Sequence, residues 1–157
     1  MKKAGHLKSQ VKNVIVLGLG ISGRAAVELA LKKGFKVYAF DEKTSPEIED
    51  FMKSIGDNRL YVHLEWKTGI LPDADLIVIS PGISRTSPLG QAAMKSKLPV
   101  IGELAFGFRF CKTPILAVTG TNGKTTTTEL TCHLLNSIGR KSTVSGNIGI
   151  PPLKVRT

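Results

Sequence analysis

The chain has 157 residues, 41% of them hydrophobic, which suffices for a packed core in one domain or two small ones. Its 22 Lys and Arg against 12 Asp and Glu give a formal charge of +10, but the basic residues are dispersed and aromatics are only 6%, so small phosphate-bearing ligands suit it better than nucleic acid. No stretch approaches the roughly 20 apolar residues of a membrane span, and the basic start Met1-Lys2-Lys3 runs into Lys8-Ser9-Gln10 instead of an apolar signal core, so a cytosolic protein without membrane insertion is expected.

From Val14 onward strand and helix patterns alternate, the signature of a parallel sheet with crossover helices. Val14, Ile15, Val16 and Leu17 read as a buried strand. Gly18-Leu19-Gly20-Ile21-Ser22-Gly23 follows, and residues 22–33 read as a helix whose Ala25, Ala26, Leu29 and Ala30 share a face before Gly34 ends it. Residues 36–40 form the next strand. Ser45-Pro46-Glu47 starts a helix to about Ile55, Gly56-Asp57-Asn58 turns the chain, and residues 60–62 suggest a third strand. Residues 76–79 read as an apolar strand that breaks at Ser80-Pro81-Gly82; residues 88–97 read as a short helix, and residues 99–101 as a closing strand.

Gly102 and Glu103 mark a junction, followed by a short helix over residues 104–111. The pattern then restarts. The apolar run 114–118 predicts a strand, Gly120-Thr121-Asn122-Gly123-Lys124-Thr125-Thr126 a loop, residues 124–138 a helix closed by Gly139, residues 142–144 a strand, and Gly146-Asn147-Ile148-Gly149 a turn. One βαβ unit cannot cover both faces of a parallel sheet, so this second unit should be poorly buried alone. A truncated gene product or fragment is the expectation, with domains at 1–102 and 103–157. Cys111 and Cys132 are too few and too far apart for a disulfide framework or a metal knuckle; both read as reduced core or boundary thiols.

Four places are candidates for chemistry. In the loop from Gly120 to Thr126, glycines let backbone N–H groups turn onto an anion at the start of a helix, Lys124 neutralises phosphate oxygens, and the Thr125 hydroxyl can join the shell of a Mg²⁺ ion. A nucleoside triphosphate is the expected ligand, although the general phosphate-loop pattern wants glycine where this chain has Val118. The four threonines Thr125 to Thr128 are poor helix formers, and hydroxyls near metal and phosphate would explain them. The turn Gly18 to Gly23 has the strand-before, helix-after context of a dinucleotide fingerprint, with Asp41 at the next strand end; Asp41-Glu42-Lys43 suit a ribose or a base edge equally. Ser80-Pro81-Gly82-Ile83 sits at a strand C-terminus, where ligands bind in such sheets, yet it also suits a plain turn. Asn147 is likewise either a turn residue or a ligand contact. His6, His63 and His133 have no carboxylate or cysteine at ligand spacing, and Glu129 reads as solvent-facing. On the residues alone, an NAD-binding oxidoreductase domain and a non-catalytic nucleotide-binding module stay open beside an ATP-using enzyme.

Together, Gly18 to Gly23, Ser80 to Ile83, Thr119 to Thr126 and Gly146 to Gly149 resemble the Mur ligases, and within them the branch that adds D-glutamate. The threonine before Gly120 is shared with folylpolyglutamate synthases, but those are not expected to carry a preceding Rossmann-like domain. The resemblance runs from about Val11 to Leu153, the first third or so of a family member. It implies an α/β fold: a Rossmann-like parallel-sheet domain holding the UDP moiety, then the truncated start of a P-loop ATPase-type central domain. Gly20, Ile21, Ser22 and Gly23 match the family's nucleotide loop, Asp41 with Glu42 its uracil position, and Ser80, Pro81, Gly82 and Asn147 further contacts to the UDP-sugar. Glu42 stands where the family often has a hydroxyl residue. Lys124 and Thr125 match its catalytic lysine and Mg²⁺-binding threonine.

The implied reaction is an ATP- and Mg²⁺-dependent step of peptidoglycan precursor synthesis by a monomer. The carboxylate of UDP-N-acetylmuramoyl-L-alanine takes the γ-phosphoryl group of ATP, and the amine of D-glutamate displaces phosphate from the acyl phosphate. The family's downstream magnesium-binding glutamate, substrate-binding histidine, modified lysine and glutamate-binding domain would lie beyond Thr157, so the chain alone is not expected to turn over.

Overall fold

The structure, a computed structural model, describes residues 11–146. Its elements are β1 (Asn13–Leu17), α1 (Ile21–Lys32), β2 (Lys36–Phe40), α2 (Pro46–Ile55), β3 (Leu60–His63), β4 (Leu76–Ile79), α3 (Pro88–Lys95), β5 (Val100–Gly102), α4 (Glu103–Phe108) and α5 (Lys124–Ser137). The five strands pair in parallel in the order β3-β2-β1-β4-β5. The expected parallel α/β sheet is therefore present.

Strand alternation explains how both faces are filled. Val14 and Val16 of β1, in register with Val37 and Ala39 of β2 and with Leu76 and Val78 of β4, point to one side, where Ala26 and Leu29 of α1, Ile48 of α2 and Phe106 of α4 cover them. Ile15 and Leu17 face the other side with Phe40 and Ile77, under Leu89 and Ala93 of α3. Strands covered on both faces read as unbroken apolar runs, as β1 and β4 do.

Local signals set the helix starts. Ser45 Oγ accepts from the Ile48 N–H (3.4 Å) and Ser87 Oγ from the Gly90 N–H (3.3 Å), each before a proline in the first helical turn. Helix α3 ends at Lys95, two residues short of expectation: Ser96 caps it, and Lys97 turns to a positive φ of 57°.

Helix α4 starts at Glu103 and packs Phe106, fully buried, onto the first unit, while Phe110 stacks edge-on against Phe106 with ring centroids 5.2 Å apart. The first core thus reaches past residue 102.

Two expected strands are absent. Residues 114–118 are irregular, with Ile115 and Leu116 exposed, and residues 142–144 are irregular up to a single bridge at Ser145. A strand exists only where its N–H and C=O groups meet a neighbouring ladder, and among the described residues no strand of the five-stranded sheet lies beside either run. Helix α5 forms but buries no residue, and Leu130 and Leu134 on one of its faces lie exposed, as does Ile138 at its C-cap, as a poorly covered second unit requires. Cys111, beyond α4, and Cys132, on α5, are both free and half-buried, which suits boundary thiols.

Candidate functional site: a glycine turn at the sheet switch point and a second glycine loop

The strand order reverses between β1 and β4, because the chain runs outward from β1 through β2 to β3 and then returns to the other side. A crevice opens at the C-terminal ends of two strands at such a point, the place where open α/β sheets take ligands. Gly18 leaves β1 and Ser80 leaves β4 there, tied by the Ser80 N–H donating to the Leu17 carbonyl (2.9 Å).

The three glycines of the turn have different reasons to be glycine. Gly18 has φ +92°, and a Cβ there would stand 2.7 Å from the Ser80 Cβ. At Gly23 a Cβ would collide with the Gly18 carbonyl oxygen at 1.8 Å, so this residue lets α1 sit directly against the turn. Gly20 is exposed, has ordinary extended angles as the N-cap of α1, and a Cβ on it would meet nothing within 4 Å. No contact within the protein requires glycine at this position, although an N-cap tolerates it well. A ligand approaching the backbone does require it, and this is the glycine that, in a dinucleotide fingerprint, admits the pyrophosphate.

Around that opening, α1 presents the unbonded N–H groups of its first turn, its first intrahelical bond being Arg24 N–H to the Gly20 carbonyl (3.0 Å). Ile21 stands 69% exposed at the mouth, with Ser22 half-buried beside it. Pro81 and Gly82 are exposed on the facing turn, and Ile83 folds back against Gly18. Gly20, Ile21, Ser22, Gly23, Ser80, Pro81 and Gly82 are thus brought to one place. Asn147 lies outside the described residues.

Asp41 and Glu42 have partners within the protein. The Asp41 carboxylate accepts from the Leu19 N–H (2.6 Å) and the Lys43 N–H (2.9 Å), so it fastens the glycine turn to the end of β2. Glu42 Oε1 accepts from the Leu89 N–H (2.8 Å) in the first turn of α3, where a negative charge also meets the helix dipole.

Sequence reading missed two residues here. Arg24 Nη1 donates to the Leu19 carbonyl (3.0 Å), which puts a cation against the turn. Glu103, read only as a junction, is buried below the turn, and burial raises its pKa against the opposing effect of Ser80. An acid between glycine and an apolar helix was the available signal for Glu103; for Arg24 there was none.

In the second loop Gly123 has φ +73° and caps α5, which starts at Lys124. Lys124 Nζ donates to the carbonyls of Gly120 (2.5 Å) and Thr121 (3.0 Å), so the ammonium lies over the loop. Thr128 Oγ1 donates back to the Lys124 carbonyl (2.8 Å), so its hydroxyl serves the helix, while Thr125 and Thr126 stand exposed in the first turn. Gly120, Thr121 and Asn122 complete an open, solvent-facing loop. These residues fit a triphosphate with Mg²⁺: a helix start with free N–H groups, one exposed cation over the loop and hydroxyls in the first turn. Among the described residues no group of three His, Cys, Asp or Glu side chains could hold a metal ion without such a ligand. Glu129 is exposed on α5, and His63 stacks on Phe40 with centroids 4.7 Å apart.

A surface depression lined by Met52, Ile55, Leu60 and Val62 among others lies around the loop that enters β3, at the opposite end of the strands from the crevice.

Comparison with known proteins agrees with this arrangement. The UDP-N-acetylmuramoylalanine–D-glutamate ligase of Thermoanaerobacter pseudethanolicus is 40% identical over 141 residues, covering 89% of this chain and 31% of that protein. The enzyme of the same name from Pasteurella multocida is 38% identical over 145 residues, 92% of this chain and 32% of its own length. The chain thus spans about a third of the curated relatives it matches. Among solved structures, the UDP-N-acetylmuramate-alanine ligase MurC of Thermotoga maritima shares the fold, with a TM-score of 0.55 at 24% identity over 86% of this chain and 31% of that one. The family "Mur ligase MurD-like, N-terminal domain" matches residues 12–102, which takes in all five strands, the glycine turn and the Ser80 turn, and the chain belongs to that family.

Proposed function

We propose that this chain carries the sugar-nucleotide-binding domain (1–102) and the first part of the ATP-binding domain (103–157) of a ligase that joins D-glutamate to UDP-N-acetylmuramoyl-L-alanine in peptidoglycan precursor synthesis. Gly20 carries the reading for the first domain, because nothing inside the protein requires glycine there and a diphosphate against the backbone does. The N–H groups opening α1 take the phosphate oxygens, Arg24 supplies positive charge, Ile21 offers an apolar wall, and the Ser80 turn closes the opposite side. Asp41 shapes the turn; any contact it makes to the uracil uses lone pairs left over from Leu19 and Lys43.

ATP with Mg²⁺ supplies the phosphoryl group that activates the substrate carboxylate. The chain's own part is positioning and neutralisation: Lys124 exchanges the Gly120 and Thr121 carbonyls for phosphate oxygens, Thr125 offers a hydroxyl to the metal, and the amides of Gly120 to Thr126 receive the remaining charge. The chain spans about a third of the length of the relatives it matches, and binding without turnover is the activity we propose for it in isolation.

Isothermal titration of the purified chain with UDP-N-acetylmuramoyl-L-alanine and, separately, with NAD tests the reading. Binding of the UDP-sugar and not of NAD is expected. Micromolar NAD binding without UDP-sugar binding overturns it in favour of an oxidoreductase domain. Formation of ADP that depends on D-glutamate would overturn the expected inactivity of the isolated chain.

A further inference from the structure

Glu103 opens α4 with its side chain inside the protein, 5% exposed, and its Oε1 is the buried side-chain oxygen that lacks a hydrogen-bond partner among the described residues. A buried carboxyl oxygen left unpaired is costly, so its location calls for a reason. That oxygen lies 3.4 Å from where a Cβ on Gly23 would stand, under the first turn of α1. Ser80, which faces Gly18 across the crevice, acts on the same carboxyl through its hydroxyl. Glu103 therefore underlies both arms of the crevice, the glycine turn after β1 and the serine turn after β4.

A diphosphate on the outer side of the α1 N-terminus and a carboxylate beneath it would compete for one positive helix end. Two like charges sharing a poorly solvated site cannot both stay ionised at ordinary cost, and one takes a proton. A diphosphate esterified at both ends has no oxygen that protonates near neutrality, so the proton falls to the carboxyl. Gly23 of α1 and Ser80 from the end of β4 are not ionisable. The charged side chains of the turn, Arg24 and Asp41, are both engaged on Leu19, and burial and Ser80 are the two influences that act on the Glu103 carboxyl.

We propose that Glu103 is a positioning residue for the sugar nucleotide: it supports the α1 turn and Ser80 from below and carries a proton taken from solvent while the diphosphate is bound. This rests on the reading of the crevice as the UDP-sugar site. In protonated form the carboxyl keeps one oxygen to accept from Ser80 and gains an O–H to donate, and its charge no longer opposes the ligand.

The test is calorimetric titration of the 157-residue chain with UDP-N-acetylmuramoyl-L-alanine in buffers of different ionisation enthalpy, for wild type, Glu103→Gln and Glu103→Asp. For the wild type, the observed enthalpy should vary with buffer in the sense of proton uptake, and across a pH series affinity should fall as pH rises, by up to roughly tenfold per pH unit. Glu103→Gln keeps the shape without the titration: buffer dependence should disappear and affinity should change less than about twofold over the same range. Glu103→Asp retains an acid one methylene shorter, and should keep proton uptake while losing affinity. Wild-type binding without proton uptake, or uptake unchanged in Glu103→Gln, overturns the inference and leaves the crevice reading intact. Absence of wild-type binding overturns the crevice reading itself, and the inference with it.

Discussion

The carboxylate of Asp41 accepts a hydrogen bond from the backbone N–H of Leu19, 22 residues earlier in the chain, over 2.6 Å. The contact joins the ends of two neighbouring parallel strands and sets the angle at which the glycine turn leaves β1. Asp41→Ala leaves the partly buried Leu19 N–H unpaired and should cost about 1–3 kcal/mol, the range for a buried donor left unsatisfied. Asp41→Asn keeps an acceptor and should cost less. Thermal melts followed by circular dichroism will rank the two, and equal melting temperatures for Asp41→Ala and wild type would deny the tie any structural weight.

The glycines of the turn should separate stability from binding. Gly23→Ala drives a methyl group into the Gly18 carbonyl and should destabilise by about 3 kcal/mol, at the upper end of overpacking costs. Gly20→Ala meets no atom of the protein and should cost no more than about 1 kcal/mol, the scale of a poorer N-cap residue. It should nevertheless weaken UDP-sugar binding at least several-fold in titration. If Gly20→Ala binds normally, the turn is a structural feature alone.

Lys124→Ala should abolish measurable ATP binding while leaving the melting temperature unchanged. The side chain is exposed and bonds only to carbonyls of its own loop, so its removal leaves no buried group unpaired. Fluorescence titration with an ATP analogue, with and without Mg²⁺, reads the first effect and a melt the second. Retained binding in this variant would remove the phosphate-loop assignment.

Acid should loosen the start of β1 through Asp75. Its Oδ2 accepts from the backbone N–H groups of Lys12 and Asn13, both at 2.8 Å, and these bonds, that of Asn13 foremost, hold its pKa below the ordinary carboxylate value. The folded protein therefore binds this proton less readily than the unfolded chain. The stabilisation is fully present above the unfolded value near 3.8 and is lost as pH falls through the lower folded one. Asp75→Asn should be less stable than wild type at neutral pH, and the difference should shrink once both carboxyl forms are protonated. A gap that stays constant from neutral to strongly acid conditions would contradict this.

Much of the first unit could be read directly from residue order. Apolar runs such as Val14 to Leu17 and Leu76 to Ile79 become buried parallel strands because their own pattern leaves them no exposed face, and Ser45-Pro46 and Ser87-Pro88 set helix starts from local bonding alone. The glycine turn, the serine turn and the lysine loop were likewise visible, since each depends on neighbouring residues in one short segment. Tertiary structure decided what depends on distant partners. Residues 114–118 look as strand-like as any, yet without a ladder alongside they remain irregular, because backbone pairing is a property of two segments and not of one. The same reason hid Glu103: only the packing of α4 against α1 turns an acid at a junction into a buried carboxyl beneath the glycine turn.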